Sequence, residues 1–174
     1  MGVIISLLLL THHRPNLGKR KIIRDYKLSF FFGFFLITDF VAPLVPLGLM
    51  FGRFGNFING ELYGRVADIE TITWAIIFPQ SGTLDPRHPS QIYQAMGEGL
   101  LLFAYMLFIS KKTKPTMNIS GHFLIGYGFI RFCTEFFRTP DQHIGFALFE
   151  MLTRGQLLSI PMIAIGLFLI YYSY

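Results

Sequence analysis

Leu28–Met50 reads LSFFFGFFLITDFVAPLVPLGLM, 23 residues with one charged side chain, Asp39, and this run decides the class of fold. About 20 apolar residues in a helix cross the hydrocarbon core of a bilayer, so a run of this length predicts a membrane span. Pro43 and Pro46 follow Asp39 inside the run. Proline removes a backbone donor and clashes with the preceding turn. A helix broken in this way is tolerated in a membrane only where it is buried in protein or lines a cavity. The expected span is therefore a broken one with its polar break turned toward protein.

Three further runs reach spanning length: Ile92–Ser110, Ile119–Phe137 and Gln156–Tyr174. A fifth, Val3–Leu10, has only eight residues. It carries neither the basic start nor the small-residue cleavage site of a signal peptide, and reads as a helix cut in the middle. The whole composition agrees. Of 174 residues 52% are hydrophobic and 14% charged, the mean hydropathy is +0.50, and 20 are Phe and eight Tyr. A soluble core of this size has no room for that apolar surface, so most of it must face lipid. The predicted class is all-α: one integral membrane domain over residues 1–174, a polytopic transmembrane helix bundle with four full spans, a truncated first helix and a long outer loop.

The net charge of +5 does not point to nucleic acid, because no basic face interleaved with aromatics accompanies it. All six lysines (Lys19, Lys21, Lys27, Lys111, Lys112, Lys114) fall in Thr11–Lys27 and Lys111–Asn118. Positive loops stay in the cytoplasm, and two crossings separate these two loops, so charge and parity agree. Phe51–Gln91 and Arg138–Gly155 then face outward and the C-terminus returns to the cytoplasm. Thr71–Pro79 (TITWAIIFP) is too short to span and is expected to form a strand or interfacial segment of the outer loop. Cys133 is the one cysteine, which excludes an internal disulfide and a cysteine-based metal cluster.

The densest polar constellation is Phe51–Arg65, FGRFGNFINGELYGR, with four glycines, two asparagines, two arginines and a glutamate. Glycine at that density disfavours a regular helix and lets backbone N–H groups approach an anion; Arg53 adds a forked donor, Asn56 and Asn59 neutral ones. The same inventory also suits a polar turn with Arg53 and Arg65 snorkelling toward lipid phosphates. The second constellation lies within a span: Tyr127, Arg131, Glu135 and Arg138 share one helical face. An arginine in hydrocarbon costs about 2.5–3.5 kcal/mol on insertion scales and marks a site or a packing pair with Glu135. Cys133 points away from that face. The third is Pro86–Gln94, PRHPSQIYQ, with Glu98 one turn into the next span. His88 is its acid–base candidate, although a structural hydrogen bond is the expected role; Asp39 and His122 are expected to be buried groups satisfied by neighbours. His12 and His13 lie in the cytoplasmic loop. No Gly-x-Ser-x-Gly elbow, phosphate-binding Gly-x-x-x-x-Gly-Lys loop or His-Glu-x-x-His helix occurs, and Ser120 and His122 are too close on one helix to form a dyad.

GRFGNFINGELYG at Gly52–Gly64 resembles the signature of the bacterial prolipoprotein diacylglyceryl transferases. DFVAPLVPL at Asp39–Leu47, RHPSQIY at Arg87–Tyr93 with Glu98–Leu100, GHFLIGYGFIRFCTEFFRTPD at Gly121–Asp141 and GQLLSIPMI at Gly155–Ile163 resemble further family segments in order and spacing. The resemblance implies a multi-pass enzyme of the bacterial inner membrane. Such an enzyme moves the diacylglyceryl group of phosphatidylglycerol to the lipobox cysteine thiol at a prolipoprotein signal peptide and uses no cofactor or metal. Arg53, Arg131, Glu61 and Tyr127 are then the candidate catalytic residues. Asn56, Asn59, Gly64, Glu135, Arg138 and His88 join the two arginines as candidate substrate-binding residues. A phosphate ester leaves in this reaction, which suits a pair of arginines able to hold its developing charge. Two departures are visible. The family's His-Gly-Gly motif is not matched: Met1-Gly2-Val3 resembles the residues just after that motif, so the chain reads as an N-terminally truncated member. Gln94 stands where members often carry Glu. The rival expectation is an inactive membrane module that binds anionic phospholipid without turnover; a transporter is disfavoured because no inverted repeat is visible.

Overall fold

The computed structural model describes residues 19–138 and 153–174, with side chains from residue 30 onward. The short run Val3–Leu10, with the expected half-length first helix, lies outside the described residues, as do His12, His13 and residues 139–152.

Five helices form the described part: α1 Lys19–Val41, α2 Val45–Ile58, α3 Ser90–Ser110, α4 Asn118–Thr134 and α5 Arg154–Ser173. Burial is inverted relative to a soluble protein. Phe30, Phe40 and Tyr171 are more than three-quarters exposed, whereas Ser90, Gln91, Gln94, Glu98 and Ser159 are buried. Apolar side chains facing outward in this way suit a lipid environment, with the polar ones collected inside the bundle.

Of the four expected spans, two or three meet the length and hydropathy of a crossing among the described residues. α3 and α5 are each long and apolar enough to cross a membrane, and Phe30–Val41 with Val45–Ile58 makes a third span if the bent pair is counted as one. The run expected at Ile119–Phe137 folds instead as the 17-residue α4, tightened into a 3₁₀ turn at Glu135–Phe137. At about 1.5 Å per residue the 17 α-helical residues are at the short end of what crosses a bilayer core of about 30 Å. This helix relies on packing, and α5 is the partner. A Cβ on Gly121 would lie 2.9 Å from the Gly166 carbonyl, one on Gly166 2.7 Å from the Gly121 carbonyl, and one on Gly128 3.1 Å from the Ser159 carbonyl. Glycine removes the obstruction and lets the two backbones touch. Thr153 and Gln156 close the start of α5 with a reciprocal capping box.

The break after Asp39 is present: α1 and α2 meet at 54° across residues 42–44, and Pro46 occupies the first turn of α2, where no backbone donor is needed. Asp39 is satisfied as expected, and by a specific partner. Its carboxylate accepts from the backbone N–H groups of Met117 (2.7 Å) and Ser120 (2.8 Å) and from the Ser120 hydroxyl (2.5 Å), so it closes the N-terminus of α4. Removing it leaves the two backbone donors without this acceptor, while the Ser120 hydroxyl keeps Thr38 Oγ1 at 3.0 Å. Asp39→Ala is expected to cost about 3 kcal/mol, the scale of charge-assisted bonds lost at a buried site. Chemical unfolding in detergent micelles checks this; an unchanged midpoint would show that the cap carries no stability.

The glycine-rich Phe51–Ile58 is helical, contrary to the expectation that its glycines disfavour a helix. Gly52 and Gly55 face open space, and glycine costs about 1 kcal/mol relative to alanine in a helix. In lipid a non-helical backbone would leave several polar groups unsatisfied, a larger penalty. The chain leaves the helix only at Gly60 and Leu62, both with left-handed φ, 67° and 55°. Within Thr71–Pro79 only Ile76–Ile77 is strand (β1), paired antiparallel with Pro86–Arg87 (β2), and a 3₁₀ turn comes next at Pro79–Ser81.

Candidate active site

α2, α3 and α4 bring one buried cluster together at a single end of the bundle. Arg53 lies five residues before the end of α2, about 8 Å along its axis; Glu98 lies eight residues into α3, about 12 Å; Arg131 is in the last turn of α4. Glu98 is fully buried and bridges the two arginines. Its Oε2 meets Arg53 Nη2 at 3.2 Å and its Oε1 meets Arg131 Nη1 at 3.2 Å. The Thr134 hydroxyl donates to the same Oε1 at 3.2 Å, and Arg131 Nη2 reaches Glu135 Oε2 at 3.2 Å. Two guanidinium and two carboxylate groups thus make a neutral set in which each charge is paired, the condition for keeping ions out of water.

Local sequence explains how three helices approach so closely. Glu98 sits in a π-helical segment, Ala95–Leu101, between Gly97 and Gly99. A Cβ on Gly97 would lie 2.7 Å from an Ile130 methyl on α4, and one on Gly99 3.0 Å from Cα of Met50 on α2. Each glycine therefore admits one of the helices that carry an arginine. The extra residue of a π turn re-aims side chains and is frequent at functional sites.

The structure places the sequence candidates unevenly. Arg53, Arg131 and Glu135 are in the cluster. Tyr127, one turn before Arg131, is half-buried, stacks on Phe123 with centroids 5.8 Å apart, and lies within electrostatic reach of Arg53, Glu98, Arg131 and Glu135. Asn56 is half-buried one turn from Arg53, and its carbonyl accepts from the Glu61 N–H at 2.9 Å. Asn59 and Glu61 are exposed on the turn beyond α2. Gly64 is a backbone junction: its N–H donates to the His88 carbonyl, it bridges to Arg138, and a Cβ there would meet the His88 and Phe137 carbonyls at 2.5 and 2.6 Å. Arg138 accepts at its carbonyl from Arg65 Nε, 3.1 Å. His88 has its Nδ1 3.2 Å from the Tyr93 hydroxyl and its ring packed edge-on with Tyr93 and Phe137. His122 meets the Tyr105 hydroxyl at 2.9 Å, and Cys133 is exposed.

Reading by segment missed the hub. Glu98 was visible only as an acid one turn into a span, and Thr134 gave no signal. The available clue was charge: a carboxylate within an apolar run needs a cation, and Arg53 and Arg131 were the cations near that end of the membrane.

Residues 21–172 match the family model described as prolipoprotein diacylglyceryl transferase. The chain is 54% identical over 138 residues to the phosphatidylglycerol–prolipoprotein diacylglyceryl transferase of Coxiella burnetii (strain RSA 331 / Henzerling II), covering 79% of this chain and 51% of that protein. It is 54% identical over 140 residues to the protein of the same name from Acinetobacter baumannii (strain ATCC 17978), covering 80% and 52%. The chain spans about half the length of the curated relatives it matches. The match runs from α1 to α5 and takes in all three helices of the charged cluster, so the chain belongs to the prolipoprotein diacylglyceryl transferase family.

Proposed function

We propose that the chain acts in transfer of the diacylglyceryl group of phosphatidylglycerol to the lipobox cysteine thiol of a prolipoprotein, in the bacterial inner membrane. The observation that carries this reading is the convergence of Arg53 and Arg131, from separate helices, on one buried carboxylate oxygen pair. Two forks held this way are preorganised for an anion of similar size, and the phosphate of a lipid headgroup is such an anion. In the reaction a sulfur–carbon bond forms at the glyceryl carbon, the carbon–oxygen bond to phosphate breaks, glycerol phosphate leaves and the thiol proton is released. Arg53 and Arg131 hold the phosphate and take up its growing charge; Glu98 and Glu135 hold the forks, and Tyr127 borders the site. Asn56 on the arginine face of α2 lies near the headgroup, and Asn59, Glu61, Gly64, His88 and Arg138 shape the loop layer through which the lipobox peptide arrives.

The test is direct. The chain in phosphatidylglycerol-containing membranes is mixed with a lipobox peptide, and peptide mass and glycerol phosphate are monitored. A peptide heavier by one diacylglyceryl group, with equimolar glycerol phosphate, is expected; an unchanged peptide contradicts the reading.

The orientation that places the site on the outer side comes from lysine bias and crossing parity. Cysteines at positions 112 and 87 in a Cys133→Ser background are expected to react oppositely with an impermeant thiol reagent in intact cells, position 87 labelling and position 112 remaining protected. Labelling at 112 alone would invert the topology.

A further inference from the structure

Gln91 and Gln94 lie three residues apart at the start of α3, on the buried stripe that continues through Ala95 to Glu98. Both glutamines are at most 1% exposed. Gln91 donates its Nε2 to the Glu61 carbonyl at 2.6 Å, which fixes the amide and turns its Oε1 the other way. That Oε1 has no hydrogen-bond partner among the described residues, and neither has Gln94 Nε2. One orphan is an acceptor and the other a donor. Residues three apart on a helix are neighbours, so the two side chains share one buried face, and their unpaired functions do not pair with each other.

Buried polar groups without partners are costly and uncommon, and their pattern specifies what would satisfy them. A hydroxyl donates one bond and accepts others, so it offers each glutamine the function it lacks. An ammonium, a donor alone, would satisfy Gln91 and confront the Gln94 N–H; an apolar group would satisfy neither. The location adds a second requirement. Gln94 precedes Glu98 by four residues, about one helical turn or roughly 5 Å, and Glu98 is where the arginines converge. A ligand with a phosphate at the arginines and a hydroxyl about one turn away has the form of a glycerol phosphate.

We infer that Gln91 and Gln94 form a hydroxyl-reading subsite that selects a glycerol headgroup from other anionic phospholipids. The inference rests on the phosphate reading proposed above and extends it from charge to headgroup identity. Charge alone does not separate phosphatidylglycerol from any other singly charged phospholipid, whereas a site built to bond a hydroxyl rejects the analogue that lacks it.

The experiment measures binding of dioctanoyl phosphatidylglycerol and of dioctanoyl phosphatidylpropanol, equal in charge but without headgroup hydroxyls, to the chain in detergent micelles by calorimetry. Wild type is expected to bind phosphatidylglycerol about tenfold more tightly, the scale of one or two net hydrogen bonds. Gln94→Met, close in shape but neither donor nor strong acceptor, is expected to bring the two lipids within about twofold while leaving phosphatidylpropanol affinity unchanged, which also reports an intact fold. Equal affinities in wild type would overturn the subsite and leave the phosphate reading standing; they would mean that the two amides are bridged by internal water. A preference that survives Gln94→Met would assign selection to other residues and overturn the role of this one. Failure of both lipids to bind would overturn the phosphate reading, and the subsite with it.

Discussion

Glu98→Ala is expected to lower the stability of the chain in micelles by about 3–5 kcal/mol and to reduce diacylglyceryl transfer below detection. Removing one partner of a buried ion pair leaves an uncompensated buried charge, and here a single carboxylate serves two cations from two different helices. The Thr134 hydroxyl loses one of its two acceptors and keeps the Arg131 carbonyl at 3.3 Å. Glu135 still pairs with Arg131, so Arg53 is the group left without a counter-charge. Glu98→Gln separates the two effects: the amide fills the space and accepts from one arginine, but presents its N–H groups to the other. It is expected to recover part of the stability and little of the activity. Thermal or chemical unfolding of the three proteins, with transfer rates at equal protein level, checks both expectations. A Glu98→Ala protein as stable as wild type would show that the arginines find other partners and that the bridge is not what holds the three helices at this end.

The second large effect is expected from substitutions that keep the charge. Arg53→Lys and Arg131→Lys should each lower transfer by about 10²–10³-fold, the scale of removing one oriented donor from a developing anion. A guanidinium is a planar fork that bonds two oxygens at fixed geometry, whereas an ammonium is a compact point charge on a flexible stem. Arg131 shows why the fork matters: Nη1 donates to Glu98 while Nη2 forms an ion pair with Glu135, two carboxylates on two elements at once. Lysine cannot reach both in that plane. Rates within threefold of wild type in both variants would show that charge alone suffices and that the forks do not hold the phosphate.

Much of the fold was legible because the bilayer imposes simple rules. Run length identified α3 and α5, and Asp39 with Pro43 and Pro46 announced the broken helix between α1 and α2. The face shared by Tyr127, Arg131 and Glu135 was readable because a helical stripe is a local property with a fixed period. What could not be read was non-local. Arg53 and Glu98 are 45 residues apart and Glu98 and Arg131 33 apart, and periodicity describes the faces of one helix without saying which helix packs against them. The π segment added to this, since its extra residue shifts the stripe that a regular helix would present. The glycines misled for a related reason: in water Gly52 and Gly55 would weaken a helix, but lipid makes every alternative backbone more costly. Their counterparts Gly97 and Gly99 act through packing, which becomes apparent only once Met50 and Ile130 are seen against them.

That Arg53 and Arg131 hold one phosphate between them is tested most directly by a double-mutant cycle on lipid binding. Affinity for dioctanoyl phosphatidylglycerol is measured for wild type, Arg53→Gln, Arg131→Gln and the double variant in the same micelles. Two forks on one anion must be coupled, so the loss in the double variant is expected to fall short of the sum of the single losses by about 1–2 kcal/mol, within the range for residues that share a partner. Losses that add within experimental error would contradict a shared phosphate and place the two arginines on separate ligands.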